Sequence, residues 1–303
     1  MDEKIELLSV SLLDSERKRI TELKNLAHRL KLEFGWHYLL DISWILRQID
    51  TIASKIIIDA GSGTGIIQWY LAENGATVIS VDRESRKNLP SRFRRRFTVE
   101  GLRSHDLSSE VESAGMSTKS LKTTAVDWID QIRFSTGQYS KDQKSIEPGK
   151  VIIYNQDLTD LTDIGEDSVD TIVAVSSLEH NSPKGLEAVV RELMRVLRPG
   201  GALVATLGAS RDDDWFHEPS QGWCYSEQTL RRIFQISSET PSNYSQYDLF
   251  FENLINNQEL QDNLASFYSQ SGDNGMPWGE WNPEYQPVGV YKRKDESYIA
   301  RKF

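Results

Sequence analysis

The sequence has only one cysteine, Cys224, among 303 residues. This excludes an internal disulfide framework and a cysteine-rich zinc site, and favours a reducing, cytoplasmic compartment. It also lacks any run of about 18 apolar residues and any signal-peptide pattern, so no membrane partner is predicted. Basic residues are fewer than acidic ones, with 35 Lys and Arg and 45 Asp and Glu. The resulting net charge of −10 argues against general nucleic-acid binding.

An apolar run that passes directly into a glycine-rich turn is the most informative stretch of the chain. Residues 55–58 are rich in β-branched side chains and predict a buried parallel strand. Gly61, Gly63 and Gly65 then predict a tight turn in which a ligand can approach the backbone. Residues 66–73 read as a helix that stops at an Asn-Gly pair. Strand, turn and helix together predict half of a nucleotide-binding unit.

The residues around this turn indicate which class of nucleotide it could bind. A dinucleotide fingerprint needs Gly or Ala where this chain has Ile66, and no Gly-Lys-Ser/Thr follows to hold a triphosphate. Asp59, at the end of the first strand, would repel a pyrophosphate but suits a cationic ligand. A second predicted strand ends at Asp82, which is placed to accept from two ribose hydroxyls. Together these features fit an adenosyl group with a positive charge and no phosphate.

Five motifs in a fixed order resemble those of the class I S-adenosylmethionine-dependent methyltransferases, in particular the small-molecule (type 11-like) subgroup. They are found at residues 59–65, 81–82, 155–158, 170–180 and 197–204. The resemblance implies an α/β fold, a doubly wound seven-stranded Rossmann-like sheet with an antiparallel last strand. It also implies S-adenosylmethionine as cofactor and S-adenosylhomocysteine as product.

The resemblance assigns cofactor contacts to positions that match the family's motifs. In the family, an acid at the position of Asp157 takes the adenine's exocyclic amine, and the next amide, here that of Leu158, faces the ring. The expected cofactor-binding residues are Asp59, Gly61, Ser62, Gly63, Asp82, Arg83, Asp157, Leu158 and Ser176.

The rest of the chain is predicted to surround this core. Residues 1–50 are predicted to be an N-terminal helical cover, and residues 51–303 a methyltransferase domain with insertions at about 86–149 (a lid) and 240–284 (a cap). Within the lid, 121–134 is a helical candidate. Trp36, His37 or Tyr38 could close over the cofactor, or could simply pack in the core. The last two strands are placed near 234–239 and 285–292, as an antiparallel hairpin.

Chemistry is expected just after the fourth strand, because ligands of open α/β sheets bind at the carboxyl ends of strands. Methyl transfer to a hydroxyl benefits from a base with a near-neutral pKa. His180 is the candidate base, with Glu179 as its helper or as a partner for the cofactor's amino group. The alternative is a histidine that only bonds its own loop.

A basic segment and a group of aromatic residues suggest where an acceptor could bind. Residues 83–106 hold eight Arg and Lys against three Asp and Glu, so Arg94 could grip a phosphate or carboxylate, unless this is only a solvated face. Aromatic and neighbouring side chains could line a sugar or ring pocket, or could merely pack the cap. These candidate substrate residues are Trp215, His217, Trp223, Tyr225, Trp278 and Trp281. No metal site is predicted, since the acidic run at 212–214 reads as a solvated loop.

The function predicted from these patterns is S-adenosylmethionine-dependent methyl transfer to a small-molecule acceptor, with O-methylation favoured. A sugar or specialised metabolite bearing a negative charge fits the basic segment and the aromatic cap. Two alternatives remain open: an NAD(P)-dependent oxidoreductase, against which Ile66 speaks, and a non-catalytic nucleoside-binding protein of the same fold.

Overall fold

A computed structural model describes residues 3–108 and 147–295 of the chain. In this part of the chain, ten strands form one sheet, whose main path runs β1-β10-β7-β6-β2-β3-β5-β4, with β8 and β9 attached beside β7. The strands are β1 (Lys4–Leu7), β2 (Ile56–Ala60), β3 (Thr77–Asp82), β4 (Thr98–Gly101), β5 (Lys150–Asn155), β6 (Val169–Val175), β7 (Leu197–Ala209), β8 (Trp215–His217), β9 (Gly222–Tyr225) and β10 (Gln286–Arg293). Strands β2, β3, β5, β6 and β7 are parallel, and β10 runs antiparallel to β7. The predicted doubly wound sheet with an antiparallel last strand is confirmed.

Helices cover both faces of this sheet. They are α1 (Leu12–Ser15), α2 (Arg17–Leu30), α3 (Tyr38–Arg47), α4 (Ile66–Glu73), α5 (Ser91–Arg94), α6 (Pro183–Val196), α7 (Glu227–Phe234), α8 (Tyr247–Ile255) and α9 (Gln258–Asp262), with 3₁₀ turns at Leu178–His180, Tyr244–Gln246, Ser266–Gln270 and Pro277–Gly279. Side chains of α2, α3 and α4 form one apolar core, and those of α6 and α7 form a second core on the opposite face. Among the described residues, no helix combines the length and apolarity needed to cross a membrane.

Local sequence accounts for the central elements. In β2, Ile57 belongs to one core and Ile58 to the other, and both are fully buried, as expected of a parallel strand covered on both faces. Helix α6 begins where the Ser182 hydroxyl accepts from the Gly185 amide and Pro183 occupies the first turn. Apolar side chains at three- and four-residue spacing then hold one face of α6 against the sheet.

The N-terminal segment differs from the predicted all-helical cover, because it begins with strand β1. Ile5 pairs with Val290 in an antiparallel ladder with β10, and both side chains are fully buried. On the other edge of β1, the amide of Asn243 satisfies the backbone of Leu7, accepting from its N–H at 2.7 Å and donating to its carbonyl at 3.0 Å. Strand β1 therefore extends the sheet beyond β10.

The hairpin predicted at 234–239 and 285–292 is wrong in its first half. Phe234 is the last residue of α7, and Gln235 ends that helix in the left-handed region with φ 51°. The second half is correct, since β10 covers residues 286–293. The neighbour of β10 on its outer side is β1, which comes from the opposite end of the chain.

Replacing Ile5 with Ala should therefore lower the free energy of unfolding by about 2–5 kcal/mol, because a buried side chain is truncated in a packed core. Urea denaturation measures the change. The control is Arg17→Ala, which removes solvent-exposed ion pairs with Asp14 and Glu259 and should lower the free energy of unfolding much less than Ile5→Ala does. Equal losses for the two variants would contradict the placement of β1 in the sheet.

The two predicted insertions are described only in part. Residues 109–146, including the helical candidate 121–134, lie outside the described residues. The preceding stretch adds α5 and the edge strand β4, and Phe93 of α5 stacks on Trp69 at 4.5 Å between ring centroids. Residues 240–284 pack on the N-terminal helices: Glu259 pairs with Arg17 at 2.7 Å, and the Trp36 amide donates to the Tyr268 hydroxyl at 3.0 Å.

Candidate functional site

A cavity of about 420 Å³ opens at the carboxyl ends of β2, β3 and β6. The sequence predicts the chemistry at this edge of the sheet. The cavity wall includes all nine positions predicted for the cofactor, together with Tyr38 of α3 and the candidate base His180. Glu179, the predicted helper, lies behind this wall and is buried.

The glycine turn forms the floor of the cavity. Gly61 and Gly63 have φ of +72° and +46°, which explains why glycine stands at both positions. The amides of Gly61 and Ser62 donate to the Val81 carbonyl at 2.9 and 3.0 Å, so the turn is tied to β3. A Cβ on Gly63 would meet only a carboxylate oxygen of Asp82, at 3.9 Å. The backbone at Gly63 is therefore open to a ligand.

Asp59 is the most perturbed acid of this wall. Its side chain is 2% exposed, and its Oδ2 has no hydrogen-bond partner among the described residues. Burial raises the pKa of Asp59 to about 7, the nearby Arg86 acts to lower it, and the carboxylate of Asp82 raises it further. An orphaned buried carboxyl beside open backbone is an arrangement that a cationic ligand would complete.

Two further acids stand at the ends of neighbouring strands, with oxygens already oriented by backbone amides. Asp82 accepts from the Gly63 amide at 2.7 Å through Oδ2 and from the Glu84 amide at 2.8 Å through Oδ1. Asp157 accepts twice through Oδ1 from Thr159, from its amide at 2.8 Å and its hydroxyl at 2.6 Å. These bonds hold the pKa of Asp157 below its usual value. Both carboxylates keep lone pairs for hydroxyl or amine donors.

The turn after β6 joins the cavity to a buried acid. Ser176 has φ +45°, a strained value for a residue with a side chain, and its hydroxyl donates to Oε1 of Glu179. Glu179 is 5% exposed and its Oε2 has no partner among the described residues. Burial raises the pKa of Glu179, and the charge of His180 opposes this rise.

His180 itself is exposed and has a defined orientation. Its Nδ1 is 3.0 Å from the carbonyl of Gln221, and because a carbonyl can only accept, Nδ1 carries the proton in this bond. In the neutral ring Nε2 is then an acceptor, and no residue in 3–108 or 147–295 bonds it. The histidine thus does bond a neighbouring loop, and it still lines the cavity with one nitrogen available.

Arg94 does not line this cavity, and its role as an anion grip stays a prediction. One guanidinium nitrogen donates to the Ser108 carbonyl at 2.7 Å and the other to the Lys87 carbonyl at 3.4 Å. Other arginines of the basic segment are also engaged within the protein: Arg96 pairs with Glu73, and Arg103 with Asp106. Arg94, Arg96 and Arg103 therefore hold this segment to itself and to α4.

The four tryptophans do not form one pocket. Trp215 pairs with Cys224 across β8 and β9, whereas Trp223 pairs with Phe216 and points to the opposite face of the sheet, because side chains alternate along a strand. Trp281 and Trp215 each pack against the first core, and Trp278 is 66% exposed. Because Trp215 and Trp223 face opposite sides of the sheet, these two rings do not share one stacking wall, and the substrate contacts of the four tryptophans stay predictions.

The last two candidate substrate residues are buried. The Tyr225 ring is fully buried, and its hydroxyl donates to the Asn181 carbonyl. His217 is 2% exposed, with Nδ1 2.7 Å from the Ser220 hydroxyl. Burial lowers the pKa of His217, and Glu284 opposes this shift. Both residues support the fold beside β9.

Two side chains at the cavity, Tyr38 and Arg86, have positions that the sequence does not predict. Tyr38 lines the cavity, so of the three candidates on the N-terminal cover it is the one in contact with this space. Arg86 lies beneath the glycine turn, whereas the sequence pattern indicates only that it belongs to a basic segment. The signal that could have revealed it is the presence of polar Ser80 in β3 and Gln68 in α4, at positions of otherwise buried elements.

Comparison with known proteins gives one family match. A family model for a methyltransferase domain matches residues 112–205, a range that contains β5, β6 and α6 and begins after the glycine turn. No curated protein matches the sequence.

Solved structures with similar folds share little sequence with this chain. One is a magnesium protoporphyrin IX methyltransferase from Synechocystis with bound S-adenosylmethionine, 16% identical over 71% of each chain, with a TM-score of 0.35. A 1,6-didemethyltoxoflavin-N1-methyltransferase from Burkholderia thailandensis is 14% identical over 95% of this chain and 85% of its own, with a TM-score of 0.40. The [4+2]-cyclase SpnF is 16% identical over 97% of this chain and 99% of its own, with a TM-score of 0.45.

Proposed function

We propose that this protein, a class I S-adenosylmethionine-dependent methyltransferase by its domain match and its strand order, methylates a hydroxyl oxygen of a small molecule. The observation that carries the proposal is the glycine turn, with open backbone at Gly63 and the orphaned carboxyl of Asp59 beside it. A nucleoside with a cationic amino-acid tail and no phosphate fits this donor set. A pyrophosphate would face the acids of the cavity wall.

The residues of the wall then have distinct tasks. Asp82 would accept from the ribose hydroxyls, and Asp157 from the exocyclic amine of the adenine, with the Leu158 amide beside the ring. Asp59, once ionised, would neutralise the ammonium group. When bound, S-adenosylmethionine supplies an electrophilic methyl group on a sulfonium. Tyr38 and the N-terminal cover would limit the access of water to this position.

Proton removal favours oxygen as the acceptor atom. A hydroxyl must lose its proton as its oxygen lone pair forms the bond to the methyl carbon, and Nε2 of His180 is free to take that proton. The Gln221 carbonyl fixes the tautomer this requires. Glu179, one residue away and buried, would stabilise the resulting imidazolium as its helper.

The acceptor is a small molecule that needs no anionic group. Arg94 donates to carbonyls of its own segment, while the cavity wall carries one arginine, Arg83, against four acids, Asp59, Asp82, Glu84 and Asp157. A neutral hydroxylated acceptor such as a sugar or a specialised metabolite suits this charge better than a phosphorylated one.

Calorimetry with S-adenosylhomocysteine tests the cofactor site. We expect binding by the wild type and a loss of about tenfold or more in affinity for Asp82→Asn, because charge-assisted hydrogen bonds contribute about 1.5–3 kcal/mol. The control, Asp212→Asn, changes an acid that is 84% exposed outside the cavity wall and should bind like the wild type. Absence of binding by the wild type, or tight binding of NADH instead, would overturn the proposal.

A further inference from the structure

One buried cation lies directly beneath the proposed cofactor site. Arg86 is 6% exposed, and its guanidinium donates to backbone and side-chain oxygens of three separate elements. Nη1 donates to the Ser62 hydroxyl at 2.6 Å, to the Gly63 carbonyl at 3.3 Å and to the Ser80 hydroxyl. Nη2 donates to the carbonyls of Ser80 at 2.8 Å and Tyr154 at 3.0 Å. The planar fork of arginine thereby joins the glycine turn to β3 and β5.

The contacts of Arg86 continue through a closed polar network. The hydroxyls of Ser62 and Ser80 are 2.7 Å apart, and Ser80 donates to Oε1 of Gln68 at 2.7 Å. The other end of Gln68 donates to the carbonyls of Gly65 at 3.0 Å and Ser62 at 3.3 Å. The turn is thus fixed from below by the buried side chains of Arg86, Ser62, Ser80 and Gln68, of which only Nε of Arg86 has no partner among the described residues, and its upper surface remains open to the cavity.

The charge of Arg86 acts on the acids of the same site. The carboxylates of Asp59 and Asp82 and the more distant Asp106 are the charged groups that face it. Asp106 is already paired with Arg103, and Arg83 acts on Asp157, at the other end of the cavity. Of the charged groups that act on Asp59, Arg86 is the cation and Asp82 the repelling anion.

We propose that Arg86 is a positioning residue of the cofactor site. It holds the glycine turn in its open conformation, and its positive charge offsets the repulsion that Asp82 exerts on Asp59, so that Asp59 is ionised when a cationic nucleoside binds. This inference rests on the proposed function, because it assumes that the nucleoside occupies the cavity.

The test is calorimetry with S-adenosylhomocysteine over a pH series for the wild type, Arg86→Met and Arg86→Lys. Arg86→Met removes both the fork and the charge, so we expect affinity to fall at least about tenfold near neutral pH, and the midpoint of its pH dependence to rise by about one pH unit. Arg86→Lys keeps the charge and loses the fork, so affinity should fall with a smaller shift of the midpoint. A purely structural arginine would not move the midpoint.

Two controls separate the possible failures. Arg95→Met removes an exposed arginine whose side chain, among the described residues, hydrogen-bonds to Ser91 alone, and it should leave both affinity and midpoint unchanged. Ser80→Ala removes one hydroxyl that accepts from Arg86 and changes no charge. It should weaken nucleoside binding without moving the midpoint of the pH dependence. If Arg86→Met does not fold, Ser80→Ala takes its place as the test of the hydrogen-bonded network. If the wild type binds the nucleoside but Arg86→Lys and Ser80→Ala match it in affinity and midpoint, the role of Arg86 is refuted. If the wild type does not bind, the proposed function itself fails.

Discussion

Asp59→Asn should raise the free energy of unfolding of the ligand-free protein by up to about 4 kcal/mol at alkaline pH, while weakening its affinity for the nucleoside. The reason is the raised pKa of the buried carboxyl, about 7 in the folded protein against an ordinary value of 3.8. The folded state therefore holds a proton that the unfolded state has lost between these two values. The free energy of unfolding therefore falls as the pH rises from about 4 to about 7. Above about pH 7 the full cost of burying the ionised carboxylate is present.

The measurement is urea denaturation of both proteins at about pH 5 and about pH 8. The asparagine variant carries no ionising group at this position, so its advantage should be roughly 2–3 kcal/mol larger at the higher pH. Asp212→Asn, at an acid that is 84% exposed, serves as control and should show no such pH dependence. An advantage for Asp59→Asn that is equal at both pH values would contradict the burial of an ionised Asp59.

Nucleoside affinity should change in the opposite direction. Replacing the carboxylate with an amide removes one charge-assisted contact to an ammonium group, a loss of about 1.5–3 kcal/mol or about tenfold to a hundredfold in affinity. For the wild type, binding below about pH 7 requires Asp59 to release its proton, so affinity should fall by about tenfold for each further pH unit. An acid that destabilises the free protein but strengthens ligand binding is typical of a functional site.

The core of the fold was readable from the sequence because its signals are local. Each central strand is a short apolar run, and α6 shows helical periodicity between a Ser-Pro start and the strand β7. Strand β1 gave no comparable signal, since it is four residues long and precedes a strongly helical pattern. Its partner β10 lies almost 300 residues away, and no local pattern encodes such a pairing.

The sequence predicted where the candidate site lies, but it did not predict the buried groups beneath the site. The nine cofactor positions converge because parallel strands place their carboxyl ends at one edge, so topology alone brings Asp59, Asp82 and Asp157 together. Arg94 and Trp223 lie outside the cavity wall, which the sequence could not show, because composition tells that a residue is present but not the direction in which its side chain points. Arg86 was missed because its five acceptors come from elements that become adjacent only on folding.

The two glycines of the turn should respond differently to alanine, and the difference separates the fold from the site. At Gly61 a Cβ would lie 2.5 Å from Cβ of Ser177, and φ is +72°. Backbone strain of about 1–2 kcal/mol and overpacking of about 1–3 kcal/mol should together lower the free energy of unfolding by roughly 2–5 kcal/mol. At Gly63 the strain alone applies, because the nearest atom to a Cβ is 3.9 Å away.

Gly63→Ala should therefore keep most of the stability, with a loss of about 1–2 kcal/mol, yet cut nucleoside affinity at least about tenfold, because its methyl group enters the space where the ligand meets the backbone. Denaturation and calorimetry on the same preparations measure both quantities, and Gly165→Ala, whose Cβ would have only ordinary contacts at 3.8 Å, is the control. If Gly63→Ala binds S-adenosylhomocysteine as the wild type does, the nucleoside does not lie over this turn. In that case the three acids around it must have another purpose.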